Sequence, residues 1–299
     1  MKNSHYVHLT DRGIISLTGC DTLAFLQGIV TNDVNILSEK KVMFSTLLTP
    51  QGKYLLDFFI FKFGSAYYVD CKINRIQDLI RRLKLYRLRA NVKIEDITEK
   101  YYVYALSKDS IKNIPHLIAQ PGQVVGPEGG VIFVDPRLLE MGARAVLPRR
   151  KGMKIIENLG LSKENLSSYN HLRISLGVFE AKENSPLDQS FPLELGFEEL
   201  NGISFDKGCY VGQEVITRIK NRGLLKKHLV PVTICEGNPK PGIEITQDGT
   251  QVGFLHEIEA DQGLAMIRLD ALELALNKDR ELKAGLHKIL PKKLKWMKF

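Results

Sequence analysis

Residues 205–218 read FDKGCYVGQEVITR, and this stretch decides how the chain is interpreted. Gly208 lies directly before Cys209, and Gly212 lies three residues after it. Glycine lets the backbone turn sharply and lets a ligand approach it closely, so the spacing favours a site over a strand interior. Lys207 adds a positive charge near the thiol, which favours the thiolate, a nucleophile and soft metal ligand. The spacing alone leaves an alternative open, a glycine-rich turn into a helix around a buried, inert cysteine.

Three further side chains follow the cysteine closely. Tyr210 offers a flat apolar face with a hydroxyl at its edge, while Gln213 and Glu214 present donors and acceptors suited to a heterocycle. The stretch therefore predicts a binding site for a planar, amide-bearing ligand.

Length and composition are those of a globular protein with more than one domain. The chain has 299 residues, of which 44% are hydrophobic, and this length suits two or three domains. It contains no apolar run near the roughly 20 residues of a bilayer span and no secretory signal at its start, so we expect a cytoplasmic protein without membrane partners. The four cysteines form no CxxC pair, which argues against a zinc ribbon or a local iron–sulfur ligand set, and we predict no metal site.

Positive charge is concentrated in two places. The net charge is +8, and basic residues dominate residues 72–93 and the tail 288–299. Such patches suit an acidic protein, a polyanionic small molecule or a nucleic acid, and the alternative is a solvated helix face with a frayed tail. Because no nucleic-acid-binding motif is present, we expect no direct nucleic-acid binding. Phosphate-loop, GxGxxG and HExxH motifs are absent as well.

Hydrophobic periodicity predicts an α+β first portion over residues 1–100. A hairpin is predicted at residues 11–13, and a helix should begin after Asp21. Residues 42–71 predict neighbouring antiparallel strands, and a helix from Asn74 should be followed by a closing strand.

A second α+β portion, residues 101–224, repeats the strand–helix–strand theme. It includes a predicted helix at residues 109–118 and two helices between residues 152 and 177, the second capped near Ser162. Residues 225–299 then contain short, closely spaced strands, which are typical of a small barrel or sandwich.

Several segments resemble those of the YgfZ-type folate-binding proteins, which are related to the aminomethyltransferase T protein of the glycine cleavage system. The resemblance covers roughly residues 5–290, in similar order and spacing. The matching segments are LTGCDTLAFLQGIVTNDV, LLTPQGKYLLDFFIF, LYRLRANVKI, HLRISLGVFE and FPLELGFEELNGISFDKGCYVGQE. The resemblance implies a GcvT/YgfZ-like α+β fold in three parts, with ferredoxin-like portions around a central folate pocket and a C-terminal β-barrel.

The family resemblance also implies a function. It points to a monomeric accessory protein that binds tetrahydrofolate, or a related folate, and supports the assembly or repair of iron–sulfur proteins, including tRNA-modifying enzymes. Its partners would be folate and iron–sulfur client or assembly proteins. The alternative is a folate-dependent aminomethyltransferase, in which a carboxylate orients the amine and no thiol is needed. Lys207 and Cys209 favour the accessory role.

The resemblance assigns roles to individual residues. The matched signature residues are Lys207, Gly208, Cys209, Tyr210, Gly212, Gln213 and Glu214, with Lys207 and Cys209 in the catalytic role. Glu194 aligns with a glutamate that bonds the pterin's donor groups; a carboxylate suits this task because it accepts two parallel bonds. The alternative for Glu194 is a surface acid before a helix. Asn32 and Asp33 resemble a pocket-lining pair.

Other matched positions complete the predicted site. Tyr169 would stack on the ligand and Arg173 would meet folate's glutamate tail, unless both are core and surface residues of a helix over 163–177. Arg222 is a second candidate for a carboxylate. Gln51 and Asp57 belong to a segment that carries two adjacent aspartates in the T protein. Here Leu56 replaces the first, so only Asp57 remains as the catalytic carboxylate of the alternative function.

Overall fold

The computed structural model describes residues 4–127, 129–181 and 189–299. The chain forms two compact units, each discontinuous in sequence. Unit 1 comprises Met1–Pro50, Leu55–Leu166 and Leu200–Gln213, and unit 2 comprises Gln51–Tyr54, Ser167–Glu199 and Glu214–Phe299. The predicted α+β fold class is confirmed.

The strands before residue 165 are β1 His5–His8, β2 Arg12–Thr18, β3 Met43–Leu48, β4 Tyr54–Phe63, β5 Ala66–Lys72, β6 Lys93–Asp96, β7 Tyr101–Leu106, β8 Val124–Val125, β9 Val131–Val134, β10 Ala143–Pro148 and β11 Ser162–Glu164. The later strands are β12 Lys227–Ile234, β13 Glu244–Gln247, β14 Thr250–Glu259, β15 Gln262–Arg268, β16 Leu282–Ala284 and β17 His287–Pro291. The α-helices are α1 Thr22–Gln27, α2 Ile76–Arg87, α3 Arg149–Asn158, α4 Leu166–Ser175, α5 Gln213–Asn221 and α6 Leu269–Leu276.

One sheet of unit 1 has the strand order β3-β4-β5-β2-β6, which includes the predicted neighbouring strands of residues 42–71. Alternate residues of β4 point to opposite faces. Leu56, Phe58 and Ile60 join the core that α1 and α2 complete. By the same alternation, Asp57 shares the other face with Phe59, whose ring lies 5.8 Å from that of Phe133 in β9. Asp57 is thereby placed in a buried layer rather than at the surface.

The second sheet of unit 1 has the order β11-β1-β7-β10-β9-β8. Strand β1 pairs with β7 and β11, whereas β2 pairs with β5 and β6 of the first sheet. The hairpin predicted at residues 11–13 is therefore wrong, because the turn carries the chain from one sheet to another. The two sheets are joined by a buried ion pair, since Asp70 of β5 accepts from Arg12 at 2.7 Å and from Arg144 of β10 at 3.0 Å.

Two predicted helix features in unit 1 are also wrong. Residues 109–118 form only a short 3₁₀ helix, Lys108–Asn113, and Pro115, which has no N–H to donate, opposes its continuation as an α-helix. Ser162 does not cap a helix. It lies in β11, paired in parallel with His5 of β1, and α4 begins four residues later.

Unit 2 contains a closed barrel with the order β12-β15-β14-β13-β16-β17. Its core includes Val230, Leu255, Ala265 and Ile267, so the predicted C-terminal barrel is confirmed. The lysine-rich end of the chain is anchored by apolar side chains between its lysines, because Met297 is buried in the same core. Within the described ranges, the helices are all too short or too polar to cross a bilayer.

His228 should make the stability of unit 2 depend on pH. Its ring is fully buried, lies 4.4 Å from the Phe299 ring and bonds the Leu229 carbonyl through Nδ1 at 2.8 Å. Burial lowers the pKa of His228 from 6.5 to about 4, against the opposing effect of the Leu229 bond. Between these values the unfolded chain binds the extra proton and the folded chain does not. Unfolding free energy should therefore fall by about 3 kcal/mol as the pH drops from 6.5 to 4.

The check is urea unfolding at several pH values, followed by fluorescence of Trp296, the single tryptophan. His228→Phe should flatten the pH dependence while keeping the ring contact. An equally steep dependence in that variant would contradict the assignment to His228.

Candidate functional site

The side chain of Lys207 is held inside unit 1 by main-chain carbonyls. Its Nζ donates to the carbonyl oxygens of Gln27 at 2.8 Å, Val30 at 2.7 Å and Asn32 at 2.9 Å. An ammonium group has three N–H donors, and here each finds an acceptor. Burial lowers the pKa of Lys207 to about 8, while the Asp33 carboxylate acts in the opposite direction. The three carbonyl bonds favour the charged form.

The residues before Lys207 are tied to the same part of unit 1. The Thr31 hydroxyl donates to the Gly202 carbonyl at 2.7 Å, and the Ser204 amide donates to the Thr31 carbonyl at 3.0 Å. The Asn32 amide donates to the Asn201 carbonyl at 2.7 Å. Residues 201–207, called here the anchor segment, are thus fastened along residues 27–32 just before the cysteine.

Asn32 and Asp33 were predicted to line a ligand pocket, and the structure shows them bonded within the protein. The Asn32 amide also donates to the Phe44 carbonyl at 2.9 Å, and its oxygen accepts from the Asp33 amide at 2.8 Å. Asp33 accepts from the Gln27 side chain at 2.9 Å and caps a 3₁₀ helix through the Asn35 amide. Both residues therefore stabilise the part of unit 1 to which the anchor segment is hydrogen-bonded. Ligand contact by either one stays a prediction.

Cys209 follows the anchor segment and is exposed. A side chain at Gly208 would meet no atom within 4 Å, and Gly208 does not have a positive φ. The protein's own packing therefore does not require glycine there, and the backbone before the thiol is open to an approaching molecule. Gly212 differs, because its φ of 82° lies in the region that favours glycine. The thiol thus stands at the surface between a fixed segment and a glycine turn.

The residues after the cysteine form the start of α5. Tyr210 is buried with its ring centroid 4.9 Å from Lys207 Nζ, and burial raises the pKa of its hydroxyl. Within the described parts of the chain, that hydroxyl has no hydrogen-bond partner. Gln213 accepts from the Tyr210 amide at 3.2 Å, and the exposed Glu214 pairs with Arg218 at 2.6 Å. Gln213 and Glu214 therefore support the start of the helix, and their binding to a heterocycle stays a prediction.

Unit 2 contains a second candidate group around the predicted residue Glu194. Glu194 is 7% exposed, and its Oε2 accepts from the Phe191 amide at 2.8 Å. Lys227 Nζ lies 3.8 Å from Oε1, and Lys53 Nζ lies 3.4 Å from the Phe191 ring centroid. Burial raises the pKa of Glu194, against the effects of the Phe191 amide and the two lysines. The site has a buried carboxylate, two cations and an aromatic face.

Tyr169 and Arg173, on α4, are both buried in unit 2. The Arg173 guanidinium donates to both carboxylate oxygens of Glu257 in β14, at 2.9 and 2.5 Å, and to the Val178 carbonyl at 3.2 Å. The Tyr169 hydroxyl donates to Glu180. Arg173 is thus a buried structural cation, rather than the surface residue of the alternative interpretation. Its predicted contact with a folate tail is untested.

Three further predicted residues differ in burial. Asp57 is buried in unit 1 at 5% exposure, whereas Gln51 and Arg222 are exposed residues of unit 2. The sequence interpretation missed Lys53 and Lys227, the cations near Glu194. Lys53 directly follows Gln51-Gly52 of a matched segment, which was the available signal. Lys227 is the first residue of β12, and no sequence pattern marked it.

The described residues contain no cluster of three or more His, Cys, Asp or Glu side chains able to hold a metal ion. Cys20, Cys209 and Cys235 are exposed, and Cys71 is buried. Burial raises the pKa of the Cys71 thiol, which leaves the three exposed cysteines as the accessible ones. Only Cys209 directly follows the anchor segment.

The fold belongs to a known structural class. It resembles the glycine cleavage system aminomethyltransferase T from Bartonella henselae with a TM-score of 0.72, over 98% of this chain and 86% of that one. The two chains are 13% identical, so this likeness establishes the fold and leaves activity open. Residues 226–299 match the family described as "CAF17, C-terminal beta-barrel domain".

More specific relatives are named iron–sulfur cluster assembly factor IBA57 homolog, mitochondrial. The chain is 30% identical over 244 residues to the one from Mycosarcoma maydis, covering 77% of this chain and 57% of that protein. It is 29% identical over 257 residues to the one from Dictyostelium discoideum, covering 76% and 62%. The match thus spans roughly three-fifths of these relatives' length. The predicted likeness to the T protein is confirmed for the fold. The relationship to YgfZ-type proteins stays a prediction.

The relatives correct one prediction. The sequence predicted a cytoplasmic protein, but the relatives just described are named as mitochondrial. The cytoplasmic prediction rested on the lack of an apolar signal in the first residues, and such a criterion does not recognise mitochondrial targeting segments, which are amphipathic.

Proposed function

We propose that this chain is an iron–sulfur cluster assembly or repair factor that binds a folate and acts through the thiol of Cys209. The relatives named as iron–sulfur cluster assembly factors support the general role. The resemblance to YgfZ-type proteins extends the proposed clients to tRNA-modifying iron–sulfur enzymes. Its partners would be the client or assembly proteins that receive the cluster.

The observation that carries this proposal is the position of Cys209. The thiol is exposed, and the anchor segment before it is fixed by Lys207 to three carbonyls. An accessible cysteine sulfur coordinates iron once it has given up its proton. In this proposal Cys209 supplies one ligand to the cargo. The client would supply the others, which suits transfer rather than storage.

The residues around Glu194 fit a folate. A pterin presents adjacent N–H donors, and a buried carboxylate that accepts one amide bond still has lone pairs for them. Lys53 and Lys227 oppose the effect of burial on the pKa of Glu194 and so favour its charged form as the acceptor, and Phe191 offers an aromatic face for the pterin. Folate itself would supply one-carbon chemistry when bound. The protein's residues hold and orient it.

Aminomethyl transfer is the less favoured function. Leu56 stands where the T protein has the first of its two adjacent aspartates, and Asp57 is buried among the sheets of unit 1. A transferase would also make no use of the exposed thiol.

The proposal predicts that Cys209→Ala abolishes function while leaving ligand binding intact. Wild type and variants would be expressed in a strain that lacks its own copy of the protein, and the activity of a [4Fe–4S] enzyme would be measured. We expect Cys209→Ala to lose the rescue and to retain the tetrahydrofolate affinity of the wild type in titration calorimetry.

Cys20→Ala and Cys235→Ala are matched controls, because both remove an exposed thiol elsewhere. Each should rescue as well as the wild type. Full rescue by Cys209→Ala would rule out the thiol mechanism, and a wild type that fails to bind tetrahydrofolate would rule out the folate part. Transfer of an aminomethyl group from a lipoyl-bound donor, lost in Asp57→Asn, would instead establish the transferase.

A further inference from the structure

The C-terminal end of α2 exposes two large apolar side chains. Leu85 is 71% exposed and Leu88 is 86% exposed. The opposite face of the helix is buried through Ile76, Leu79, Ile80 and Leu83, so both leucines are surplus to the core. The group Arg81, Lys84, Leu85, Leu88 and Arg89 is called here the α2 tip.

Leu88 has a strained backbone. It ends α2 with φ 47° and ψ −111°, outside the αL region and on the mirror-β side of the map, which glycine populates readily and a bulky residue rarely adopts. Strain of this kind persists where function requires the residue. Apolar contacts of the Leu88 side chain do not compensate for this strain, because the side chain is exposed to solvent. A role outside the fold accounts for both features.

The charge of the tip is positive. Among the described residues, Lys84 and Arg89 have no ion-pair partner, and Arg81 shares Asp78 with Arg75 and Arg82. Asp21 accepts from the Asn91 amide at 2.7 Å, and Glu95 pairs with Lys93 at 2.9 Å. The tip therefore presents two leucines among cations.

We propose that the α2 tip docks on an anionic phospholipid surface, with Leu85 and Leu88 among the acyl chains and the basic side chains at the headgroups. Leucines with adjacent Lys and Arg are typical of peripheral membrane segments. A protein partner would call for a larger patch with aromatic anchors at its centre, whereas the tip has neither. The expectation of no membrane partner rested on the lack of a spanning segment, which peripheral docking does not need.

The test is co-sedimentation of the full chain with vesicles. Vesicles of phosphatidylcholine with roughly one part in three phosphatidylglycerol should bind the protein, pure phosphatidylcholine should not, and added salt should weaken binding. The double variant Leu85→Ser/Leu88→Ser should lower the affinity at least about tenfold. Leu286→Ser is the matched control, because Leu286 is 95% exposed in the barrel unit. It should bind as the wild type does.

The variant Leu88→Gly separates an effect on vesicle binding from an effect on the stability of the fold. Glycine adopts φ 47° without strain, so the variant should unfold no more readily than the wild type and yet bind vesicles less tightly. Failure of the wild type to bind anionic vesicles overturns the proposal, as does equal binding by the leucine variants. If vesicles do not bind but the leucine variants lose the iron–sulfur rescue, the tip serves a protein partner and the lipid proposal fails.

Discussion

Lys207→Met is expected to destabilise unit 1 by about 3 kcal/mol and to loosen the anchor segment. The substitution keeps an unbranched apolar stem but leaves the carbonyls of Gln27, Val30 and Asn32 without their donor. Each buried acceptor without a partner costs about 1–3 kcal/mol, and water entering the gap recovers part of this cost. Hydrogen exchange should show the loss as faster exchange at the Ser204 amide, which bonds the Thr31 carbonyl.

The rate of Cys209 alkylation distinguishes a role of Lys207 in positioning the thiol from a role in general stability. Alkylation of Cys209, in a background with Cys20→Ser and Cys235→Ser, should change in rate in Lys207→Met under conditions where circular dichroism shows a folded protein. Lys207→Arg should not restore the wild-type rate, because a planar guanidinium does not match three convergent acceptors. Lys226→Met, at an exposed lysine, is the control and should leave exchange and alkylation unchanged. Unaltered exchange at Ser204 in Lys207→Met would contradict the anchoring role.

Arg173→Met is expected to destabilise unit 2 by about 4 kcal/mol. The substitution leaves Glu257 buried at 1% exposure without the guanidinium that bonds both of its oxygens. Removing one partner of a buried ion pair typically costs about 3–5 kcal/mol, whereas replacing both with apolar residues costs far less. Urea unfolding followed by Trp296 fluorescence measures the effect. The double variant Arg173→Met/Glu257→Leu should recover most of the lost stability.

The same pair of variants tests the predicted contact between Arg173 and folate. If the double variant regains both stability and tetrahydrofolate affinity, Arg173 acts only within the fold. If stability returns and affinity does not, the guanidinium meets the ligand. A single variant as stable as the wild type would contradict the structural role given to the Arg173–Glu257 pair.

The elements that the sequence predicted well are those encoded by local periodicity. The barrel region contains short strands at close spacing, and α2 repeats Ile76, Leu79, Ile80 and Leu83 at helical spacing, so each can be recognised without its partners. The turn at residues 11–13 looks like a hairpin for the same local reason. Which sheet each flanking strand joins depends on β5 and β7, which lie far away in sequence.

The predicted site residues show the same limit, because local sequence patterns do not reveal their distant partners. Proximity of Lys207 to Cys209 in sequence predicted that the lysine activates the thiol, but its acceptors are carbonyls about 180 residues earlier in the chain. Arg173 was assigned to a ligand from the family resemblance, and its partner Glu257, 84 residues away in a different element, gave no sequence signal. Main-chain acceptors have no sequence pattern, and a buried ion pair between distant elements leaves no spacing signal. Exposure of Cys209, by contrast, agrees with the glycines around it.

The three carbonyl oxygens around Lys207 Nζ resemble the oxygen ligands of a cation-binding loop. Here the cation is the ammonium group of a side chain rather than a bound metal ion. An ammonium group carried by the polypeptide cannot be removed by a chelator. The anchor segment before the thiol would therefore keep its shape whether or not the proposed cargo is bound.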